Sequence, residues 1–153
     1  MNLARSVFVM AWQENASLAV GDEDSAVYYS RMFTRTFSLV FGVTAMLIGL
    51  TPVLFKILII GNYQEAYGQM PILFLGIFFG CVSAFQGGIY IAHKKTLNCG
   101  LLTIVAAIIN LAVDILLIGY IGIYAGAVST LVSYLVLFVF RLFDVLRFQK
   151  MKY

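Results

Sequence analysis

The sequence predicts an all-α fold, a polytopic transmembrane helix bundle of about five helices. Two observations carry that expectation. Hydrophobic residues make up 62% of the chain and charged residues 11%, with a mean hydropathy of +0.96; soluble domains carry about a quarter charged residues. The uncharged runs are also long. Phe37 to Phe55 and Met70 to Ala92 hold no charge, and Cys99 to Phe140 holds only Asp114. A soluble core cannot hide so much apolar surface, so the bilayer is the solvent that fits.

Residues 1–20 form the first expected helix. Asn2, Arg5, Gln13, Glu14 and Asn15 interrupt its apolar residues. Asn2, Arg5, Val9, Trp12 and Ala16 share a face by their three-and-four spacing. Two readings stay open: an amphipathic helix on the membrane surface, or a span whose polar face lines a water-filled cavity. Gly21-Asp22-Glu23-Asp24-Ser25 ends it, and the stretch to Arg35 reads as a loop or a short interfacial helix. The second helix covers about 36–60, with a kink expected at Pro52, whose ring removes a backbone hydrogen bond. The third covers about 70–92 and opens at Pro71, where a missing N–H costs little. Cys99 to Phe140 is 42 residues. As one helix it would be roughly 63 Å long, about twice the hydrocarbon thickness. It must turn once, at Gly119-Tyr120-Ile121-Gly122, which gives helices at about 98–118 and 122–142.

Lysine and arginine placement sets the expected orientation. Arg31, Arg35, Lys94, Lys95, Arg141, Arg147, Lys150 and Lys152 all fall on one side if the helices alternate. The other side holds Glu65 and the glycine turn, with Lys56 close enough to snorkel to the interface. The C-terminus is therefore expected in the cytoplasm. If the first segment spans, Met1 starts outside. No cleavable signal sequence follows it, which implies helices before it.

Few residues suggest chemistry. Asp114 is the one acid within the long spans and should face protein or water, because a charge in hydrocarbon is costly. It reads either as an ion-coupling relay, with Asn110 four residues earlier as a hydrogen-bond neighbour, or as a polar helix contact near the interface. Arg5 with Trp12, Gln13 and Glu14 forms the second candidate. A guanidinium in a partly dehydrated cavity suits phosphate, and an indole face can stack on a sugar. The competing reading is an interfacial anchor. Gly76, Gly80, Ala84 and Gly88, and again Gly122, Gly126 and Thr130, let helices approach closely. Cys81 and Cys99 match no metal or redox spacing and read as packing residues. His93 has no partner ligand nearby in sequence, so no metal site is expected. No catalytic constellation is visible, which argues against an enzyme, and no cofactor is implied. The basic residues read as helix-flank anchors, so no nucleic-acid partner is expected.

Several segments, in order, resemble the C-terminal half of bacterial oligosaccharide flippases. These O-antigen and capsular-polysaccharide exporters belong to the superfamily that also holds multidrug-and-toxin-extrusion transporters. Ala11-Trp12-Gln13-Glu14 is similar to an A-W-Q-E helix end. Pro52 to Gly61, then Tyr63 and Ala66, are similar to a stretch before an extracellular loop, and Pro71-Ile72-Leu73 to the next helix start. Gly87-Gly88-Ile89-Tyr90 leads to Lys94-Lys95-Thr96, like the family's K-K-T loop. Asn110-Leu111 with Leu116-Leu117-Ile118 resembles an N-L…L-I-P helix end. Gly122-Ile123-Tyr124-Ala125-Gly126-Ala127, Ser129-Thr130-Leu131 and Ser133-Tyr134 resemble a G-I-x-G-A-A-x-x-T-L-x-S-Y block. Val113-Asp114 stands where the family commonly shows Leu-Asn, and Gly119 replaces its usual proline.

The resemblance implies a partial second lobe of a MATE-like flippase fold, about the last five helices of twelve to fourteen. It implies movement of undecaprenyl-diphosphate-linked oligosaccharide across the bacterial cytoplasmic membrane by alternating access. Membrane lipids and an N-terminal lobe outside this chain would be partners. The first helix, with Arg5 and Gln13, would supply part of the cavity wall. Two alternatives remain: a same-fold exporter of drugs or peptidoglycan lipid precursor, and a small accessory membrane protein bound to a partner complex.

Overall fold

The computed structural model describes residues 25–58 and 64–148. Among these residues there are four helices and no strand: α1 (Ser25–Leu58), α2 (Gln64–Ala92), α3 (Thr96–Ile121) and α4 (Tyr124–Phe148). Every one is long and apolar enough to cross a membrane, with mean hydropathy from 1.9 to 2.6 in its most apolar window. The shortest, α4, has 25 residues, which is about 37 Å and exceeds the roughly 30 Å of hydrocarbon. The chain is a multi-pass, all-α membrane protein. The expected helix at 1–20 lies outside the described residues.

The helices outrun their expected bounds. The stretch before Arg35 is already helix from Ser25. Tyr29 and Phe33, one turn apart, are buried against the rest of the fold, while Arg31 and Arg35 are exposed. A buried stripe on one side makes this segment an extension of the span. Pro52 lies within α1, which continues to Leu58. Pro71 lies seven residues inside α2 instead of at its start. Likewise α4 runs past residue 142 to Phe148 and buries Val145.

Residue pairings fix the directions. Between α1 and α2, Phe33 meets Phe85, Phe37 meets Phe78, and Phe55 meets Tyr67, so the two are antiparallel. Between α2 and α4, Gly68 meets Tyr124, Gly76 meets Leu131, and Tyr90 meets Asp144, so these run parallel. Asn110 of α3 bonds Ser133 and Thr103 bonds Arg141, so α3 is antiparallel to α4. The four described helices thus alternate in direction, but their spatial order is α1–α2–α4–α3. This is an open row. The edge helix α3 buries only Ala106 and leaves Leu97, Ile108, Leu116 and Tyr120 exposed.

Packing between helices cannot rely on the hydrophobic effect in lipid, where tails are as apolar as leucine. Shape and local polar bonds take its place. Aromatic rings interlock along α1 and α2: Phe78 sits edge-on to Phe37 at 5.1 Å and to Phe41 at 6.0 Å. Phe79 carries the contact on to Phe138 of α4 at 5.7 Å. Small residues admit α4 closely. A Cβ on Gly76 would lie 3.4 Å from the Leu131 backbone, and one on Gly80 would lie 3.4 Å from the Tyr134 ring. Thr44 and Thr51 of α1 donate to the carbonyls of Val40 and Leu47, so their hydroxyls need no water.

The connection from α2 to α3 is tight. Lys94 has φ of 55°, the left-handed region usually taken by glycine. The Lys94 N–H donates to Ile91 O and the Lys95 N–H to Tyr90 O, the two bonds of a Schellman cap. Gly122, also at φ 55°, closes α3 with its N–H on Ile118 O.

Two stability predictions follow from this packing. Replacing Phe78 with alanine should cost about 3 kcal/mol, whereas Leu116→Ala on the exposed face of α3 should stay within about 0.5 kcal/mol; reversible unfolding in mixed micelles measures both. Lys94→Gly should stabilise the chain by up to about 1 kcal/mol in the same assay, by relieving the left-handed lysine.

Candidate functional site

One face of α4 is built on a four-residue repeat. Ala125, Ser129, Ser133, Leu137, Arg141 and Val145 are all buried and lie in one row along the helix. Five of these side chains are small or apolar or carry a short hydroxyl. The sixth is an arginine. It sits seven residues from the end of α4 at Phe148, about 10 Å along the axis.

Arg141 is only 6% exposed. Helical side chains lean toward the N-terminus of their own helix, which for α4 is the end away from the lysine turn. The guanidinium follows that direction, inward. One terminal nitrogen, Nη1, donates to the Ser83 carbonyl of α2 at 2.6 Å. The other, Nη2, donates to Thr103 Oγ1 at 2.9 Å, to Cys99 Sγ at 3.1 Å and to the Cys99 carbonyl at 3.3 Å, all on α3. One side chain therefore ties three helices together. Gly87 makes room for it, since a Cβ there would lie 3.4 Å from Nη1.

Every hydrogen-bond partner of Arg141 among the described residues is neutral. Its nearest acid on α4, Asp144, bonds elsewhere: the Tyr90 hydroxyl donates to Asp144 Oδ2 at 2.8 Å. Tyr90 stands between the two charges, with its ring centroid 6.0 Å from the guanidinium carbon. The cluster also holds buried groups without hydrogen-bond partners: Arg141 Nε, Ser83 Oγ and Gln86 Oε1. Gln86 is fully buried, and its Nε2 reaches the Phe138 carbonyl at 3.5 Å. Unsatisfied polar atoms beside a desolvated cation form a high-energy polar seam.

The sequence alone marks Arg141 as a helix-flank anchor, and the structure corrects this. The signal that distinguishes it is the four-residue row, which continues past it to Val145. Cys99, expected as a packing residue, is also a ligand of the guanidinium. Cys81 and Cys99 are both free thiols. His93 places Nδ1 3.0 Å from the Ile89 carbonyl and its ring 5.9 Å from Tyr29. Among the described residues, no three His, Cys, Asp or Glu side chains cluster as metal ligands.

Arg5, Trp12, Gln13 and Glu14 lie outside the described residues. Asp114 is half-buried on α3 and points to the first turn of α4; its Oδ1 lies 3.9 Å from where a Cβ on Gly126 would be. A carboxylate there complements the positive end of the helix dipole. Asn110 turns its amide to Ser133 Oγ at 3.2 Å and forms no hydrogen bond with Asp114. Beside that bond, α3 and α4 border a groove of about 340 Å³ lined by Thr103, Asn110, Thr130, Ser133 and Tyr134 together with Ala106, Ala107 and Leu137. Thr103 belongs both to this groove and to the arginine clamp.

Compared with protein-family models, with curated proteins and with solved structures, the chain matches none.

Arg141→Lys keeps the charge but loses the fork that reaches two helices. It should cost about 2 kcal/mol or more in mixed-micelle unfolding. Asp114→Asn should cost less than about 1 kcal/mol by the same measurement, because its contribution is the helix-dipole interaction alone.

Proposed function

We propose that this chain forms part of a membrane transporter that flips lipid-diphosphate-linked oligosaccharide across a bacterial cytoplasmic membrane by alternating access, for surface-polysaccharide assembly. The ordered run of flippase-like segments from Ala11 to Tyr134 supports the cargo class. The structural observation that carries the reading is the open row. Four spanning helices lie side by side, with a groove of mixed polar and apolar lining between α3 and α4 and with apolar faces on α1 and α3 that the described residues leave uncovered. Such a row can serve as one wall of a path that an N-terminal lobe completes. No catalytic step is assigned to the chain.

Charge placement supports the orientation. Arg31, Arg35, Lys94, Lys95 and Arg147 gather at the end where α2 turns into α3, while Lys56 lies toward the other. Arg141 drops out of this tally because it is buried between helices, yet the bias survives without it. The basic end is then cytoplasmic, and so is the C-terminus.

A strain lacking its own oligosaccharide flippase tests the transport role. Residues 1–153 alone should leave surface glycan absent, whereas co-expression with a matching N-terminal lobe should restore it. Export by the chain alone, or failure with every lobe tried, would sink the reading. Fluorescent-protein and alkaline-phosphatase fusions after Tyr153 check the topology, with fluorescence and no phosphatase activity as the expected pair.

A further inference from the structure

Arg141 and Asp144 are three residues apart on α4 and so are neighbours on its surface. They are the natural ion pair of this helix, and they do not pair here. The guanidinium reaches across to Ser83, Cys99 and Thr103, and the carboxylate accepts the Tyr90 hydroxyl.

We propose that Arg141 is a two-position latch: it clamps α3 to α2 in the conformation described, and in a second conformation it pairs with Asp144 on its own helix and releases α3. Each position has what the other lacks. The clamped position has several charge-assisted hydrogen bonds but, among the described residues, no counter-ion, and it leaves Arg141 Nε, Gln86 Oε1 and Ser83 Oγ without partners there. In the paired position the guanidinium gains a carboxylate and gives up its hold on two helices. The clamped bonds gain strength from burial, whereas the paired position lies nearer the basic surface, at half-buried Asp144. Balanced polar arrangements of this kind give discrete states, in contrast to a continuous deformation.

Tyr90 sets which position is occupied. Its ring lies beside the guanidinium and its hydroxyl holds the carboxylate, so the carboxylate must exchange a neutral donor for the cation before the latch moves. Arg147 lies one turn beyond Asp144 and is exposed, where solvent weakens its claim on the carboxylate. Lys94 and Lys95 lie in the turn between α2 and α3, at the same end. The consequence of release is local. Direct contact between α3 and α2 is sparse, so the Arg141 bonds are a principal polar tie between them, and Thr103 is both a ligand of Arg141 and a wall of the groove. Freeing Thr103 lets α3 swing about α4 and opens the groove from the basic end.

Cys99 reports the position directly, because the clamped guanidinium covers its sulfur. The test uses the full chain in lipid nanodiscs, with Cys81→Ser as background and a membrane-permeant maleimide as probe. Tyr90→Phe frees the carboxylate and should raise the Cys99 labelling rate several-fold over the background chain. Asp144→Asn removes the second position and should lower it several-fold. The double variant Tyr90→Phe/Asp144→Asn should label as slowly as Asp144→Asn. If the double variant labels as fast as Tyr90→Phe, the tyrosine acts only by packing and the latch is wrong. Equal rates in Tyr90→Phe and the background overturn it too. Should Tyr90→Phe fail to fold, Asp144→Asn decides alone, and unchanged labelling overturns the proposal.

Discussion

The approach of α4 to α2 is the contact on which the rest of the structure depends. Lipid offers no solvent-driven force to press two helices together, so the pair must fit by shape. Gly76 and Gly80 remove side chains where the Leu131 backbone and the Tyr134 ring arrive. With the backbones that close, the buried row of α4 meets Ser83, Gln86 and Tyr90 of α2. Aromatic rings then attach α1 to the far side of α2, and α3 attaches to the far side of α4. Remove the close approach, and Arg141 loses its reach to Ser83 and the α2–α3 tie goes with it.

The polar groups obey the same solvent. Threonines on α1 bond back into their own helix, the last turn of α2 is capped by the backbone, and Asn110 finds Ser133 across the α3–α4 seam. Each of these is a closed account, as lipid demands. The Arg141 cluster departs from this most, with a cation that has no counter-ion and three buried atoms that have no partners among the described residues. Outside this cluster, among the described residues, Gln69 Nε2 is the other buried side-chain atom without a partner; the concentration of unsatisfied polarity around Arg141 marks it as a candidate functional position. It lies beside the groove between α3 and α4, and Thr103 belongs to both.

Much of the fold was legible as a run of letters. The uncharged stretches marked α2 and α3 within a few residues, because a span needs little beyond length and apolarity. The start of α1 was not legible. Tyr28-Tyr29-Ser30-Arg31 looks like interfacial loop until Tyr29 meets His93 in the turn after α2 and Phe33 meets Phe85 of α2. The turn between α3 and α4 falls at Gly122, while Gly119, the other glycine of the expected turn, stays helical. Only one of the two glycines takes a positive φ, and composition cannot say which. The candidate site was the least legible part. Arg141 resembles a terminal anchor by position. Its burial follows from ligands on two other helices, and no local pattern in α4 names Ser83 or Cys99. The cluster around Arg5 remains a sequence expectation, outside the described residues.

The exposure of α3 bears on how the chain enters the membrane during synthesis. Of the four helices it has the highest mean hydropathy, 2.6, and it buries almost nothing. It can partition into lipid on emerging from the ribosome, with no neighbour to wait for. The next helix cannot, since α4 brings Arg141 and Asp144 into hydrocarbon, and both find their partners on α2 and α3. Synthesis order meets that requirement, because α2 and α3 are already in place when α4 arrives. The buried arginine thus makes α4 a checkpoint: it settles only if α2 and α3 have been laid down correctly.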